Sequence, residues 1–263
     1  MNRARKIYRI IYRSSPCYAQ LENDSLILLH GDLEHGFSPA DISIPYSEAE
    51  IIPPVVPGKI VGMGLNYTDI DDELALPDEP KVFLKSPQAL IMSGCPVEKP
   101  SYVEILKCEV ELAVVMGSYT KCVSPEEALE KVFGYLVAND VTASDLQAKD
   151  GVWGRAKNFD TFCPVSDHIV TGIDPSNLRL KSFRNGEKLI DSTTDRMYFD
   201  VARTISYISG IMTLKPGDMI ITGTPTGYGI TVIPGDTVRV EIDGIGMAEN
   251  PVVEVSRKRI TQL

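Results

Sequence analysis

The sequence lacks several things that would assign it quickly. It has no excess of basic residues: 26 Lys plus Arg stand against 36 Asp plus Glu, a formal charge of −10. A surface of that sign repels nucleic acid and anionic membranes, so a nucleic-acid partner and a membrane partner are both excluded as expectations. The apolar runs break within about ten residues, far short of the ~20 that a membrane-spanning helix needs. The N-terminus (Met1, Asn2, Arg3, Ala4, Arg5, Lys6) is basic but leads into alternating residues instead of an apolar signal core, which predicts a cytoplasmic protein. The five cysteines are odd in number, widely spaced and contain no Cys-x-x-Cys pair, so neither a disulfide framework nor a zinc knuckle is indicated. Only three histidines occur (His30, His35, His168), and none has ligand spacing with another. Nucleotide signatures are missing as well. Gly62-Met63-Gly64 has Tyr67 where a dinucleotide fingerprint wants its third glycine, and Gly227-Tyr228-Gly229 lacks the lysine of a phosphate loop. No Ser-His-Asp arrangement is visible.

What remains is an ordinary globular composition, 43% hydrophobic and 24% charged, over 263 residues, enough for one large domain with a small appendage. Short alternating runs at Ile7 to Ile11, Tyr18 to Leu21 and Leu26 to Leu29 read as strands, with Asn23-Asp24 turning between the last two. Pro53, Pro54, Pro57 and Gly58 then stiffen and interrupt the chain. This predicts a small N-terminal β domain over 1–56 and a main domain over 57–263. In the main domain, strands are expected near Lys59 to Met63, Val82 to Leu84, Glu109 to Val115, Tyr135 to Ala138, Leu178 to Phe183, Met219 to Thr222, Thr237 to Ile242 and Val252 to Val255. Turns are expected at Asn185-Gly186, Pro216-Gly217-Asp218, Pro234-Gly235-Asp236 and Asp243-Gly244. Helices are few. Ser124-Pro125-Glu126-Glu127 reads as a capped helix start, and Val201, Ile205, Ile208 and Met212 fall at helical spacing.

The candidate chemistry lies in carboxylates. In Glu109-Val110-Glu111-Leu112-Ala113-Val114-Val115 a strand would turn both glutamates to one face, about 6 to 7 Å apart. Two carboxylates on an otherwise apolar strand repel one another and resist desolvation unless positive charge lies between them. A solvated face or a charge-guarded edge strand is the bland alternative. Asp140 shifts the balance, because it closes a second apolar strand, Gly134 to Asn139. Three carboxylates without histidine match Mg²⁺ or Mn²⁺, which take oxygen ligands and keep several waters, better than zinc.

With Asn66-Tyr67, Asn139-Asp140-Val141-Thr142-Ala143, Ala156-Lys157-Asn158-Phe159-Asp160 through Pro164, and Thr222-Gly223-Thr224-Pro225-Thr226-Gly227, these residues resemble the fumarylacetoacetate hydrolase family, in order and with compatible spacing from about Lys59 to Val253. The resemblance is to isomerase-like and acylpyruvase-like members that carry a small N-terminal β domain. It implies a β-rich α+β fold of the mixed β-sandwich roll type, a homodimer, a Mg²⁺ or Mn²⁺ cofactor and a small-molecule 2-oxo acid substrate. It places Glu109, Glu111 and Asp140 as metal ligands, Lys157 as the active-site lysine, and Gln147 and Thr224 as substrate-binding residues. A 2-oxo or 2-hydroxydiene acid would react through a metal-chelated enolate, with Lys157 adding charge beside the developing oxyanion.

The chain departs from the family's pattern at three places. The histidine of the family's His-Glu dyad is replaced by Ile70, leaving Glu73 as the candidate catalytic acid or base within an acidic run that reads equally as a solvated loop. Ser144 stands where arginine is frequent, and Lys107 where aspartate is common. Loss of the imidazole favours isomerisation or tautomerisation, which needs one proton shuttle, over C–C hydrolysis or decarboxylation of acylpyruvate-type or oxaloacetate-type acids. A metal-binding member without turnover is the third reading.

Overall fold

A computed structural model describes residues 4–69, 77–227 and 229–256. Alternation in the first segment produces an antiparallel meander, Arg5–Tyr12, Ser15–Glu22, Ser25–Asp32 and Gly36–Pro45, with the turn at Asn23-Asp24 where the sequence predicts it. Tyr8, Ile10, Ala19 and Leu26 form its own small apolar cluster. The strand Arg5–Tyr12 also pairs antiparallel with His168–Thr171, so the meander continues a large mixed sheet. That sheet runs on through Val132–Asn139, Val110–Met116, Met219–Ile221, Ile60–Gly64 and Lys81–Lys85. Along this path pairing is antiparallel except where Met219–Ile221 lies parallel to Ile60–Gly64, and off it Cys163–Val165 pairs parallel with Leu90–Met92.

A second sheet, built from Glu187–Thr193, Arg179–Arg184, Thr237–Ile242, Gly246–Val255 and Val97–Pro100, packs on the strands Val110–Met116 and Val132–Asn139. Every residue of Val110–Met116 is consequently buried, which is why its sequence reads as a continuous apolar run and not as an alternating one. Leu112, Val114, Leu136, Val240 and Ile242 belong to the single large core between the layers. Each such side chain contributes roughly 1.5–3 kcal/mol on burial, so the glutamate inside this strand is held on a rigid frame. The architecture is the strand-rich α+β fold expected from the sequence, with mixed sheets.

The amphipathic helix appears as Val201–Ile211, its first turn capped by the Asp200 side chain accepting from the Arg203 N–H at 2.8 Å. At Ser124 the helix lasts one α turn, Pro125–Ala128, before tightening into the 3₁₀ turn Leu129–Lys131; the Ser124 N–H donates to Glu127 Oε2 at 3.0 Å. Two further helices, Ser144–Asp150 and Gly154–Lys157, carry no strong sequence signal because they are too short for an apolar stripe. Among the described residues no helix is long and apolar enough to cross a membrane.

His168 ties the meander to the second sheet. Its ring stacks on Tyr8 with centroids 4.9 Å apart, while Nδ1 faces Asp167 Oδ1 at 2.5 Å and Nε2 faces the Ile245 carbonyl at 2.8 Å. Replacing it with leucine leaves the half-buried Asp167 carboxylate and the buried Ile245 carbonyl without the imidazole that faces them, and we expect a loss of about 2 kcal/mol in urea denaturation. An unchanged midpoint would show that this tie contributes nothing.

Candidate active site

Strand pairing assembles the three acids. Glu109 occupies the break between the strands Leu106–Cys108 and Val110–Met116, and Glu111 lies inside the second. Val110 pairs with Asn139, so Asp140 emerges beside Glu109: the Asp140 N–H donates to the Glu109 carbonyl at 2.9 Å, and the Glu109 N–H donates to Asn139 Oδ1 at 2.9 Å. One oxygen from each of Glu109, Glu111 and Asp140 lies within 4.8 Å of the others, and all three residues are buried. The two strands predicted to converge do so.

Two lysines answer this charge. Lys157, at the end of the helix Gly154–Lys157, donates from Nζ to Glu109 Oε2 at 2.9 Å and also to Asp140 Oδ2. Lys85 closes the strand Lys81–Lys85 and donates to Asp140 Oδ1 at 2.6 Å, to the Lys157 carbonyl at 2.6 Å and to the Val141 carbonyl at 3.2 Å, with its side chain fully shielded from solvent. Sequence reading missed Lys85. The available signal was a lysine ending an apolar strand, Val82-Phe83-Leu84-Lys85, where a surface residue is the ordinary interpretation.

Glu111 instead accepts the Gly223 N–H on Oε2 at 2.7 Å. Gly223 has φ +91°, and a side chain there would press on Asn66, its Cβ only 3.0 Å from that of Asn66. Asn66 clasps this turn by donating to the Thr222 carbonyl at 2.8 Å and the Phe199 carbonyl at 3.0 Å while accepting the Phe199 N–H at 2.9 Å. The Asn66 and Gly223 motifs thus act on Glu111 through geometry.

Protonation follows from this arrangement. Burial, then the neighbouring Asp140 carboxylate, push the Glu111 carboxyl well above its ordinary range. Burial likewise raises Glu109, with Lys157 opposing it. For Asp140 burial acts upward too, but Lys157 and Lys85 outweigh it and hold the carboxylate below its usual value. Burial penalises the Lys157 ammonium, and the surrounding carboxylates more than reverse this, raising its pKa. Three carboxyl groups face two ammonium groups in a buried site, so with all three ionised one negative charge has no compensation, a deficit that the raised Glu111 carboxyl meets with a proton when no cation is bound. A hard dication fits that deficit and the all-oxygen donor set, and the cluster could hold one.

Glu109 and Glu111 form part of the wall of a cavity of about 410 Å³, together with Lys157, Lys107, Ser144, Gln147, Trp153 and Thr224, and Asp140 lies behind that wall, joined to it through Lys157. Thr224 is buried, and its hydroxyl has no hydrogen-bond partner among the described residues. Trp153 lies against Gly64, where any Cβ would stand 2.2 Å from the indole. Leu65, beside it, holds a left-handed φ of 54°. Across Trp153 runs a larger apolar groove of about 890 Å³ that none of the three acids lines. Of the residues singled out from sequence, Glu109, Glu111, Asp140, Lys157, Gln147 and Thr224 come together here; Glu73 and Ile70 lie outside the described residues. Among the described residues no cysteine or histidine joins the three acids in the cluster.

Buried acids beside a cleft form a cluster that could hold a metal ion, and comparison with known proteins specifies the lineage. The chain belongs to the fumarylacetoacetate hydrolase family: residues 59–253 match the model for the fumarylacetoacetate (FAA) hydrolase C-terminal domain. It is 37% identical over 221 residues to a mitochondrial oxaloacetate tautomerase of Xenopus laevis, covering 79% of this chain and 69% of that protein. It is 39% identical over 232 residues to a 2,4-didehydro-3-deoxy-L-rhamnonate hydrolase of a Sphingomonas strain, covering 82% and 81%. The crystal structure of a 2-hydroxyhepta-2,4-diene-1,7-dioate isomerase from Mycobacterium marinum superposes with a TM-score of 0.88 at 35% identity, covering 96% of this chain and all of that one. Relatives that carry activities are thus isomerases, tautomerases and hydrolases of small organic acids.

Proposed function

We propose that the protein is a Mg²⁺-dependent or Mn²⁺-dependent isomerase or tautomerase of small 2-oxo or 2-hydroxydiene acids. The observation that carries this reading is the convergence of Glu109, Glu111 and Asp140 within 4.8 Å in a buried site short of positive charge. These three residues would hold the cation, which polarises a 2-oxo acid's carbonyl and stabilises negative charge on its oxygen. Lys157 places a second positive charge beside that oxygen from a fixed position. The unpartnered hydroxyl of Thr224 and the amide of Gln147 supply hydrogen bonds to the acid. Trp153 closes one wall, keeping water from the reacting carbon. Glu73 is the proposed proton carrier. We also propose that the working form is a homodimer, which sedimentation velocity will test.

Following the enol of oxaloacetate by ultraviolet absorbance, with and without the metal, tests the reaction. Enol loss without release of pyruvate, CO₂, oxalate or acetate is the expected result. Release of pyruvate with CO₂ moves the protein to decarboxylation, release of oxalate with acetate moves it to C–C hydrolysis, the reaction class in the Sphingomonas relative's name, and silence across a panel of 2-oxo acids removes all three.

Metal binding has its own signature. Saturating Mn²⁺, at about a hundred times its Kd, is expected to stabilise the chelator-treated protein by about 2.7 kcal/mol, which for a chain of this length raises Tm by roughly 5 to 10 °C. Since burial lifts Glu111 well above the carboxylate range, a proton competes with the cation there. Falling pH fills that proton site, so the increment in Tm must be larger at pH 8 than at pH 6. An increment independent of pH, or retained in Glu111→Gln, would remove Glu111 from the ligand set.

A further inference from the structure

The chain comes back to the acidic cluster through the strand Ile230–Val232, which runs antiparallel to Leu106–Cys108 with Ile230 opposite Cys108 and Thr231 opposite Lys107. One residue further along each chain, Gly229 faces Glu109 across the break before Val110. Gly229 holds φ +60°, and a Cβ on it would stand 2.4 Å from Glu109 Cγ and 2.5 Å from the Cys108 carbonyl oxygen. Non-bonded carbons rest about 3.5 to 4.0 Å apart, so a side chain at 229 would drive the Glu109 stem aside by roughly an ångström. That stem is held at both ends. The Glu109 N–H donates to Asn139 Oδ1 and its carbonyl accepts the Asp140 N–H, each at 2.9 Å, while its Oε2 accepts Lys157 Nζ at 2.9 Å. Between those anchors the stem passes through space that only a glycine at 229 leaves open.

We propose that Gly229 is a positioning residue for the cation: by setting the path of the Glu109 stem it fixes the spacing of the carboxylates to suit a small ion. The proposal rests on the metal reading above and assigns Gly229 no contact with the ion or the substrate. Mg²⁺ demands near-ideal octahedral geometry with oxygens at about 2.0 to 2.1 Å, whereas Ca²⁺ accepts about 2.3 to 2.6 Å and irregular shells. Displacing one carboxylate therefore costs the small ion more than the large one, and the damage shows as a change in which ion is preferred. The other glutamate is steadied from the same stretch of chain, where the Gly223 N–H donates to Glu111 Oε2 at 2.7 Å.

The test is calorimetric titration of chelator-treated protein with Mg²⁺, Mn²⁺ and Ca²⁺. Gly229→Ala should bind Mg²⁺ and Mn²⁺ about thirty-fold more weakly than wild type and Ca²⁺ less than about five-fold more weakly. Alanine in the left-handed region is strained wherever it occurs. Gly186→Ala carries that strain alone, since Gly186 has φ +84° and open space at its Cβ, and it should bind all three ions as wild type does. A metal-free cycle covers a variant too unstable to titrate. With Glu109→Ala, which has no Cγ, Gly229→Ala should lower Tm by at least about 3 °C less than it does in wild type, because the Cys108 contact and the strain are common to both backgrounds and cancel. Equal losses of Tm in the two backgrounds, unchanged affinities, or equal weakening of all three ions overturns the assignment. A wild type that ignores every cation removes the metal reading and this role with it, whereas a wild type that binds Mg²⁺ and Mn²⁺ no better than Gly229→Ala removes Gly229 alone.

Discussion

Replacing Lys157 with methionine is expected to lower kcat about a thousandfold while the protein stays folded and binds Mn²⁺ more tightly than before. The two effects have opposite signs because the ammonium has two relationships within one site. It donates to Glu109 Oε2 and Asp140 Oδ2, on two of the three carboxylates proposed to hold the cation, so removing a like charge lowers the electrostatic cost of binding the metal. A preorganised positive charge beside a developing oxyanion, by contrast, stabilises the transition state more than the ground state. The carboxylates raise the Lys157 pKa, so the ammonium persists across neutral pH and the wild-type rate should show no lysine titration there. Methionine keeps the length and apolar contacts of the stem, including its approach to the Phe83 ring. Steady-state kinetics at saturating Mn²⁺, with circular dichroism as the control for folding, decide the matter. A kcat within about tenfold of wild type would show that Lys157 serves only to neutralise the acids.

The carboxylate cluster was legible in the sequence because strand chemistry is local. Alternation sets Glu109 and Glu111 on one face, and an apolar strand ending in Asn139-Asp140 delivers a third acid. The compensating charge was only half legible. Lys157 is visible through its motif, but the role of Lys85 depends on the pairing of Ile60–Gly64 with Lys81–Lys85 and on where a strand 55 residues distant in sequence places Asp140. No pattern along the chain encodes that meeting. The same holds for Trp153 against Gly64: a glycine in a strand signals close approach of something, and only the fold says what approaches. The helix Val201–Ile211 was readable because it buries a periodic face, and the strand Val110–Met116 because burial on both faces makes it an apolar run. The strand Leu106–Cys108 and the helices Ser144–Asp150 and Gly154–Lys157 are too short to show a period, yet they present Lys107, Gln147 and Lys157 to the cavity. Much of the wall of the candidate site comes from the elements that sequence periodicity describes least well.

Lys85 separates holding the site from operating it. Its three acceptors surround an ammonium that touches no solvent, and it donates to Asp140 Oδ1 while Lys157 takes Oδ2. Lys85→Met leaves the Val141 and Lys157 carbonyls without that donor and Asp140 with one counter-charge in place of two. Breaking a buried ion pair from one side costs about 3 to 5 kcal/mol, so the metal-free variant should melt roughly 10 °C below wild type. The pH dependence follows from the sign of the Asp140 shift. Because the lysines hold its pKa below the unfolded value, Asp140 contributes stability above the ordinary carboxylate range, and this is lost as pH falls through the depressed value. Removing Lys85 lessens the depression, so acid unfolding of the variant should begin at higher pH. Saturating Mn²⁺ should recover part of the lost stability, since the cation replaces charge at Asp140 but not the hydrogen bonds to the two carbonyls. If denaturant titration finds Lys85→Met within about 1 kcal/mol of wild type, the acids are held by their strands alone, and the buried lysine beneath them carries no structural role.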